Sequence, residues 1–168
     1  MNTVSPLSGH IEQLADRSMA ERISAFLLSS DAFDDTNHTP GERLHFAGNP
    51  LESLQLAHHH YWYMLADDGE LAAVSSAYEN EQRTGGYVLD YLAVHRAHRN
   101  KGIASRMMTH FLAFARAAGG RYVLTSTCDL PSYDGIRQMF AKYGYEQIGY
   151  CPDYYFEGEG RLTYLLKL

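Results

Sequence analysis

Apolar residues recur along this chain in two rhythms: a three-to-four-residue spacing that marks helices, and short runs or alternations that mark strands. From Ile11 to Leu28 the apolar positions Ile11, Leu14, Ala15, Met19, Ile23, Phe26 and Leu27 keep near-helical spacing and predict a first helix. A polar stretch rich in Asp, Asn, Pro and Gly follows as a loop, and Leu51–His60, after Asn49-Pro50, predicts a short second helix. No strand is expected before Tyr61. Tyr61–Leu65 reads as a strand ending at the turn Asp67-Asp68-Gly69-Glu70, and Leu71–Glu79 as the next strand. Tyr87–Val94 is its antiparallel partner across Thr84-Gly85-Gly86. Ile103, Met107, Phe111, Phe114, Ala115 and Ala118 then predict a long helix stopped by Gly119-Gly120. Arg121–Ser126 reads as a strand, Asp134–Tyr143 as a helix, and Tyr145–Tyr150 and Leu162–Leu168 as closing strands around a turn-rich loop, Asp153–Gly160. This order predicts a mixed α/β fold in one domain, residues 1–168, with a helical part over 1–60, a mixed sheet and helices on both faces.

The segment with most chemical content joins the apolar run Leu92-Ala93-Val94 to the long helix through Arg99-Asn100-Lys101-Gly102-Ile103-Ala104-Ser105. A glycine followed by a small residue at a helix start lets backbone amides approach a ligand closely, and the helix dipole favours phosphate there. Arg99 and Lys101 stand beside that turn as candidate partners of a pyrophosphate. The turn has neither the Gly-Lys-Ser/Thr of a P-loop nor a Gly-x-Gly-x-x-Gly pattern. It resembles the cofactor motif of the GNAT N-acetyltransferase superfamily, Arg/Gln-x-x-Gly-x-Gly/Ala after a strand ending in Val, whose positions are filled by Val94 and Arg99–Ala104. A second resemblance lies about 40 residues on, in Ser132–Tyr145, where Phe140-Ala141-Lys142-Tyr143-Gly144-Tyr145 is similar to the family's helix and exit turn.

The resemblance implies acetyl-CoA as acetyl donor. In such a fold the two parallel strands, here Tyr87–Val94 and Arg121–Ser126, splay apart to admit the pantetheine arm, which pairs with the backbone of Leu92, Ala93 and Val94. The glycine turn, Arg99 to Ser105, then holds the pyrophosphate. Direct transfer to a primary amine needs a base to take the ammonium proton, and Asp90 and Glu79 are the candidates. A backbone amide at or next to Val94 polarises the thioester carbonyl. The family's usual acid for the leaving thiolate, a Tyr four residues before the motif's Gly, is replaced by Phe140, so the step uses Tyr133, Tyr143 or water, or proceeds without a dedicated acid.

Composition narrows the partners. The formal net charge of −6, with acidic runs at Asp31–Asp35, Asp67–Glu70, Glu79–Glu81 and Asp153–Glu159, disfavours nucleic acid and suits a cationic amine. No apolar run is long enough to span a bilayer, and Met1-Asn2-Thr3-Val4-Ser5-Pro6 lacks the basic start and apolar core of a secretory signal, so a cytoplasmic protein is expected. Cys128 and Cys151 are expected to stay reduced. His58-His59-His60 is not read as a metal site, because adjacent side chains diverge and no partner has ligand spacing. Cys128 is a candidate acetyl-accepting nucleophile, subordinate to direct transfer because no His partner is identified for it. The resulting expectation is a small-molecule amine acetyltransferase; its assembly is left open by the sequence, a homodimer being what many members of the resembled family form. A protein or peptide acetyltransferase and a non-catalytic acyl-CoA sensor are the alternatives.

Overall fold

The computed structural model describes residues 9–33 and 37–168; Met1–Pro6 and the Asp34–Asp35 pair lie outside the described residues. In chain order the elements are β1 (Ile11–Gln13), α1 (Arg17–Leu28), α2 (Pro40–Ser53), β2 (His59–Leu65), β3 (Leu71–Glu79) and β4 (Gly86–Val94). They continue with α3 (Ile103–Ala117), β5 (Tyr122–Cys128), α4 (Asp134–Lys142), β6 (Glu146–Phe156) and β7 (Glu159–Lys167). The seven strands form one sheet in the order β1-β2-β3-β4-β5-β7-β6. β4 and β5 are parallel, and β7 is antiparallel to both β5 and β6.

Four expectations are corrected by this arrangement. Ile11–Gln13 is a strand, paired antiparallel with Met64, Tyr63 and Trp62 of β2, so a strand does precede Tyr61. The first helix therefore starts only at Arg17, where the Asp16 side chain accepts the Met19 N–H at 2.9 Å as N-cap. The second helix is not Leu51–His60. It begins inside the stretch read as a loop, because Thr39 and Glu42 form a reciprocal capping box and Pro40 supplies a preset first helical residue. It ends at Ser53, leaving His59 to open β2. Finally, β6 and β7 extend through most of the expected Asp153–Gly160 loop to a tight turn, where Gly158 adopts φ +83° and gives its N–H to Asp153 Oδ1 at 2.7 Å. Loss of the Asp16 cap by Asp16→Ala is expected to cost about 1 kcal/mol. That lowers the melting temperature by about 2–4 °C, measurable by circular dichroism.

Two compact units make up the chain, Met1–Ser76 with Tyr91–His110, and Ala77–Asp90 with Phe111–Leu168. In the first, alternate residues of β2 serve two layers. Tyr61 and Tyr63 join the core of Met19, Ile23, Phe26 and Leu27 from α1 and Phe46 from α2, while Trp62 between them meets His110 of α3 edge-on. Successive strand residues point to opposite faces, so α1 and α2 cover one face there and α3 the other. In the second unit Tyr87 rests on Phe114 of α3, and Phe140 of α4 packs against Tyr145 and Tyr164.

Tyr63 donates to Glu12 Oε2 at 2.8 Å, and burial, reinforced by that bond, pushes its hydroxyl up from 10 to about 12. Below pH 10 the phenol is neutral in folded and unfolded chains alike; between 10 and 12 only the unfolded chain ionises, so stability falls across that window. Urea midpoints from pH 9 to 12 are expected to decline, and Tyr63→Phe to flatten the slope. Burial raises Tyr145 as well, so the flattening is partial.

Candidate active site

Two features of the structure carry chemistry, and β4 runs through both. At its C-terminal end, Val94 leads into a short 3-10 turn, Arg96–His98, and then into Asn100 and Gly102, both left-handed at φ 59° and 76°. A side chain at 102 would meet no atom within 4 Å, so glycine is required there by backbone conformation alone. Ile103, 2% exposed, anchors the start of α3, and Arg106 N–H returns to Gly102 O as an early helical bond. A helix leaves the amides of its first turn without intrahelical acceptors, which makes this exposed turn suited to an anion.

The two cations beside the turn are held by backbone. Arg99 donates from Nε to Val94 O and from Nη2 to Ala32 O, both at 3.1 Å, tying the turn to the end of β4 and to the segment after α1. Lys101 Nζ donates to Ala97 O at 3.2 Å. Residues that the sequence did not flag complete the frame. Arg96 Nη2 donates to Ser30 O at 2.9 Å and Phe33 O at 3.3 Å, and His95, stacked on Phe26, lies 3.7 Å from Asp31. No local pattern announces these bonds, since each joins positions more than 60 residues apart.

The second feature begins with a register shift in β4. Asn80 N–H bonds Gly86 O at 2.7 Å, and His95 N–H bonds Ala72 O at 2.9 Å. Eight steps on β3 are thus matched by nine on β4, which places one extra residue in β4. Its position is marked by two rings: Tyr87 packs on Phe114 but Tyr91 on Phe46 at 4.6 Å, although residues four apart on a regular strand share a face. The extra residue falls between these two rings, and bulges re-aim side chains.

The β4–β5 ladder stops early. Its pairs are Gly86↔Tyr122, Tyr87↔Val123 and Val88↔Leu124, yet β4 continues to Val94 and β5 to Cys128. Thr125 Oγ1 caps the last turn of the ladder by donating to Leu89 O at 2.9 Å. β5 pairs on its other side with β7, Ser126 opposite Thr163 and Cys128 opposite Arg161. Directly opposed residues share a face, so Ser126, Thr163, Cys128 and Arg161 line one face of the second unit. Tyr78 of β3 feels both Asp90 and Arg161: burial raises its phenol most, the Asp90 carboxylate adds to the rise, and Arg161 opposes it. Asp90, Tyr78 and Arg161 thus form one electrostatic group.

The remaining candidates fall elsewhere. Glu79 Oε1 accepts the Gly85 N–H at 3.0 Å, closing the β3–β4 hairpin at the end of β4 remote from the glycine turn. Tyr133 and Tyr143 flank α4 as N-cap and C-cap, ten residues and about 15 Å apart at a helical rise, so the structure does not bring them together. Tyr133 follows the end of β5, which Arg137 Nη1 ties to α4 through Cys128 O and Leu130 O. Phe140 is 2% exposed among aromatic rings. Cys128 is buried, Cys151 exposed, and both are free thiols.

Comparison with known proteins decides what this frame belongs to. The model of the acetyltransferase (GNAT) family matches residues 23–145. The chain is a member of the GNAT acetyltransferase family. Acetyltransferases of this family take the acetyl group from acetyl-CoA. Solved structures of the same fold include a GNAT-family protein of Desulfovibrio desulfuricans, 19% identical over 95% of this chain and 99% of that one, with a TM-score of 0.79. An aminoglycoside 6'-N-acetyltransferase complexed with coenzyme A is 15% identical over 94% and 96%, TM-score 0.73. An N-acetyltransferase of Staphylococcus aureus Mu50 is also 15% identical, over 94% and 98%, TM-score 0.71. No curated protein matches the sequence significantly. Among the described residues of this GNAT chain, no helix is long and apolar enough to cross a membrane.

Proposed function

We propose that this GNAT enzyme moves an acetyl group directly from acetyl-CoA to the primary amine of a small molecule, as one domain spanning residues 1–168. The observation that carries this reading is the end of the β4–β5 ladder after Val88↔Leu124, followed on the same strand by the left-handed Asn100 and Gly102. A strand released from its neighbour offers backbone groups to an extended ligand, here the pantetheine amides on Leu92, Ala93 and Val94. The turn Arg99-Asn100-Lys101-Gly102 with Ile103, Ala104 and Ser105 then holds the pyrophosphate, with Arg99 as the brace that keeps the turn in shape.

In the reaction, Asp90 takes a proton from the acceptor's ammonium, directly or through water. The neutral nitrogen attacks the thioester carbonyl, a backbone amide at or beside Val94 stabilises its oxygen, and the C–S bond breaks. The departing thiolate is protonated by Tyr133 or by water; Tyr133 is favoured over Tyr143 because it follows the end of β5. Two free thiols fit the reducing cytoplasm. The exposed edge strand β6, which presents Ile148, Tyr150, Tyr154 and Phe156, is the surface on which we place a homodimer contact.

The test is incubation with acetyl-CoA and a panel of primary amines, reading free CoA thiol and acetylated product by mass spectrometry. Product in stoichiometric balance with thiol is expected. The buried phenyl ring of Phe140 favours one other reading, an acyl-CoA sensor. Acetyl-CoA binding without product from any amine would establish that reading instead.

A further inference from the structure

Among the described residues, no carboxylate forms an ion pair with the Arg161 guanidinium. Its Nη1 donates to the Tyr154 hydroxyl at 2.9 Å, and its Cζ lies 4.8 Å from the centre of the Tyr154 ring. Its Nε is buried and bonds no acceptor, and among the described residues no carboxylate pairs with it. The adjacent carboxylate, Asp129, is engaged by other donors, Gly160 N–H at 2.8 Å and Tyr150 OH at 2.9 Å. In a chain of net charge −6, a half-buried arginine left unpaired on a polar sheet face is a cost that an anionic ligand removes.

The proposed base is linked to this arginine: Asp90 and Arg161 both act on Tyr78, and Ser126 of β5, opposite Thr163 of β7, lies on the strand between theirs. β4 and β7 are separated by β5, so their strands lie two spacings apart, roughly 10 Å, where the ladders are paired. We propose, resting on the acetyltransferase reading above, that the acceptor is a zwitterion of amino-acid type, its amine set at Asp90 and its carboxylate or equivalent acidic group on Arg161. Arginine suits this role because its planar fork meets a carboxylate through two donors, and Nη1 alone is taken by Tyr154. Tyr154, half exposed, lies against the guanidinium.

The experiment pairs the free amino acids with their carboxamides as acceptors, reading CoA thiol release and product mass in the parent and in Arg161→Met. Acetyl-CoA titrations and thermal melts of both proteins verify folding and donor binding. The expected result is that at least one acid exceeds its amide in kcat/KM by 100-fold or more, and that Arg161→Met lowers this ratio at least tenfold, chiefly through KM. Amides used as well as acids, or an unchanged ratio in the variant, would overturn the assignment. So would acetyl-CoA binding with no acid acetylated, whereas failure to bind acetyl-CoA would instead sink the acetyltransferase reading itself.

Discussion

Replacing Gly102 by glutamate is expected to raise the dissociation constant for acetyl-CoA at least 100-fold, about 2.8 kcal/mol. Two separable causes contribute. At φ +76° any side chain brings backbone strain of about 1 kcal/mol or more, although open space surrounds the position. The carboxylate then stands where the pyrophosphate would lie, and like charges a few ångströms apart repel by several kcal/mol at effective dielectric constants near 20. Gly102→Ala separates the two, because its methyl group meets nothing within 4 Å and carries no charge. It is expected to weaken binding tenfold or less in the same calorimetric titration. Equal affinity of Gly102→Glu and the parent would remove the glycine turn from the donor site.

Asp90→Asn is expected to lower kcat by about 10²–10³-fold at neutral pH, the range of general base catalysis, while acetyl-CoA affinity stays within twofold. Asparagine keeps the shape and hydrogen-bonding capacity of the side chain but cannot accept the ammonium proton, so the deficit belongs to one step. The defect should narrow as the pH approaches the acceptor's own pKa, where the amine arrives neutral. A pH–rate profile checks this sign. A uniform loss at every pH would assign Asp90 to binding the substrate, and an unaltered kcat would point away from it altogether.

The segments that the sequence revealed are those governed by local rules. β3 occupies Leu71–Glu79 as read, because its apolar run is bounded by a glycine turn on one side and polar residues on the other. The strand–turn–helix around Gly102 was equally legible, since its glycine and the apolar stripe of α3 each announce themselves. β1 was not, being three residues long and a strand only through its pairing with Met64, Tyr63 and Trp62 of β2. The apolar positions Ile11 and Leu14 fall in phase with the helix that follows, and this hid it. α2 did leave a trace, Thr39-Pro40-Gly41-Glu42, which is a capping box outweighed by the polar and glycine-rich residues around it.

The candidate site divides along the same line. Asp90 stands out as a carboxylate within an apolar strand, but the extra residue that β4 carries emerges only from two hydrogen bonds to β3. Arg161, Thr163 and Ser126 share a face because β7 lies against β5, an adjacency between segments more than 30 residues apart. No periodicity within either strand encodes that. The hold of Arg96 and Arg99 on carbonyls after α1 is likewise a product of the fold.

The central claim, that this chain binds acetyl-CoA through the strand, turn and helix around Gly102, is tested most directly by calorimetric titration of the intact protein with acetyl-CoA. A single saturable site per chain is predicted. A well-folded protein that shows no binding at millimolar acetyl-CoA would contradict it.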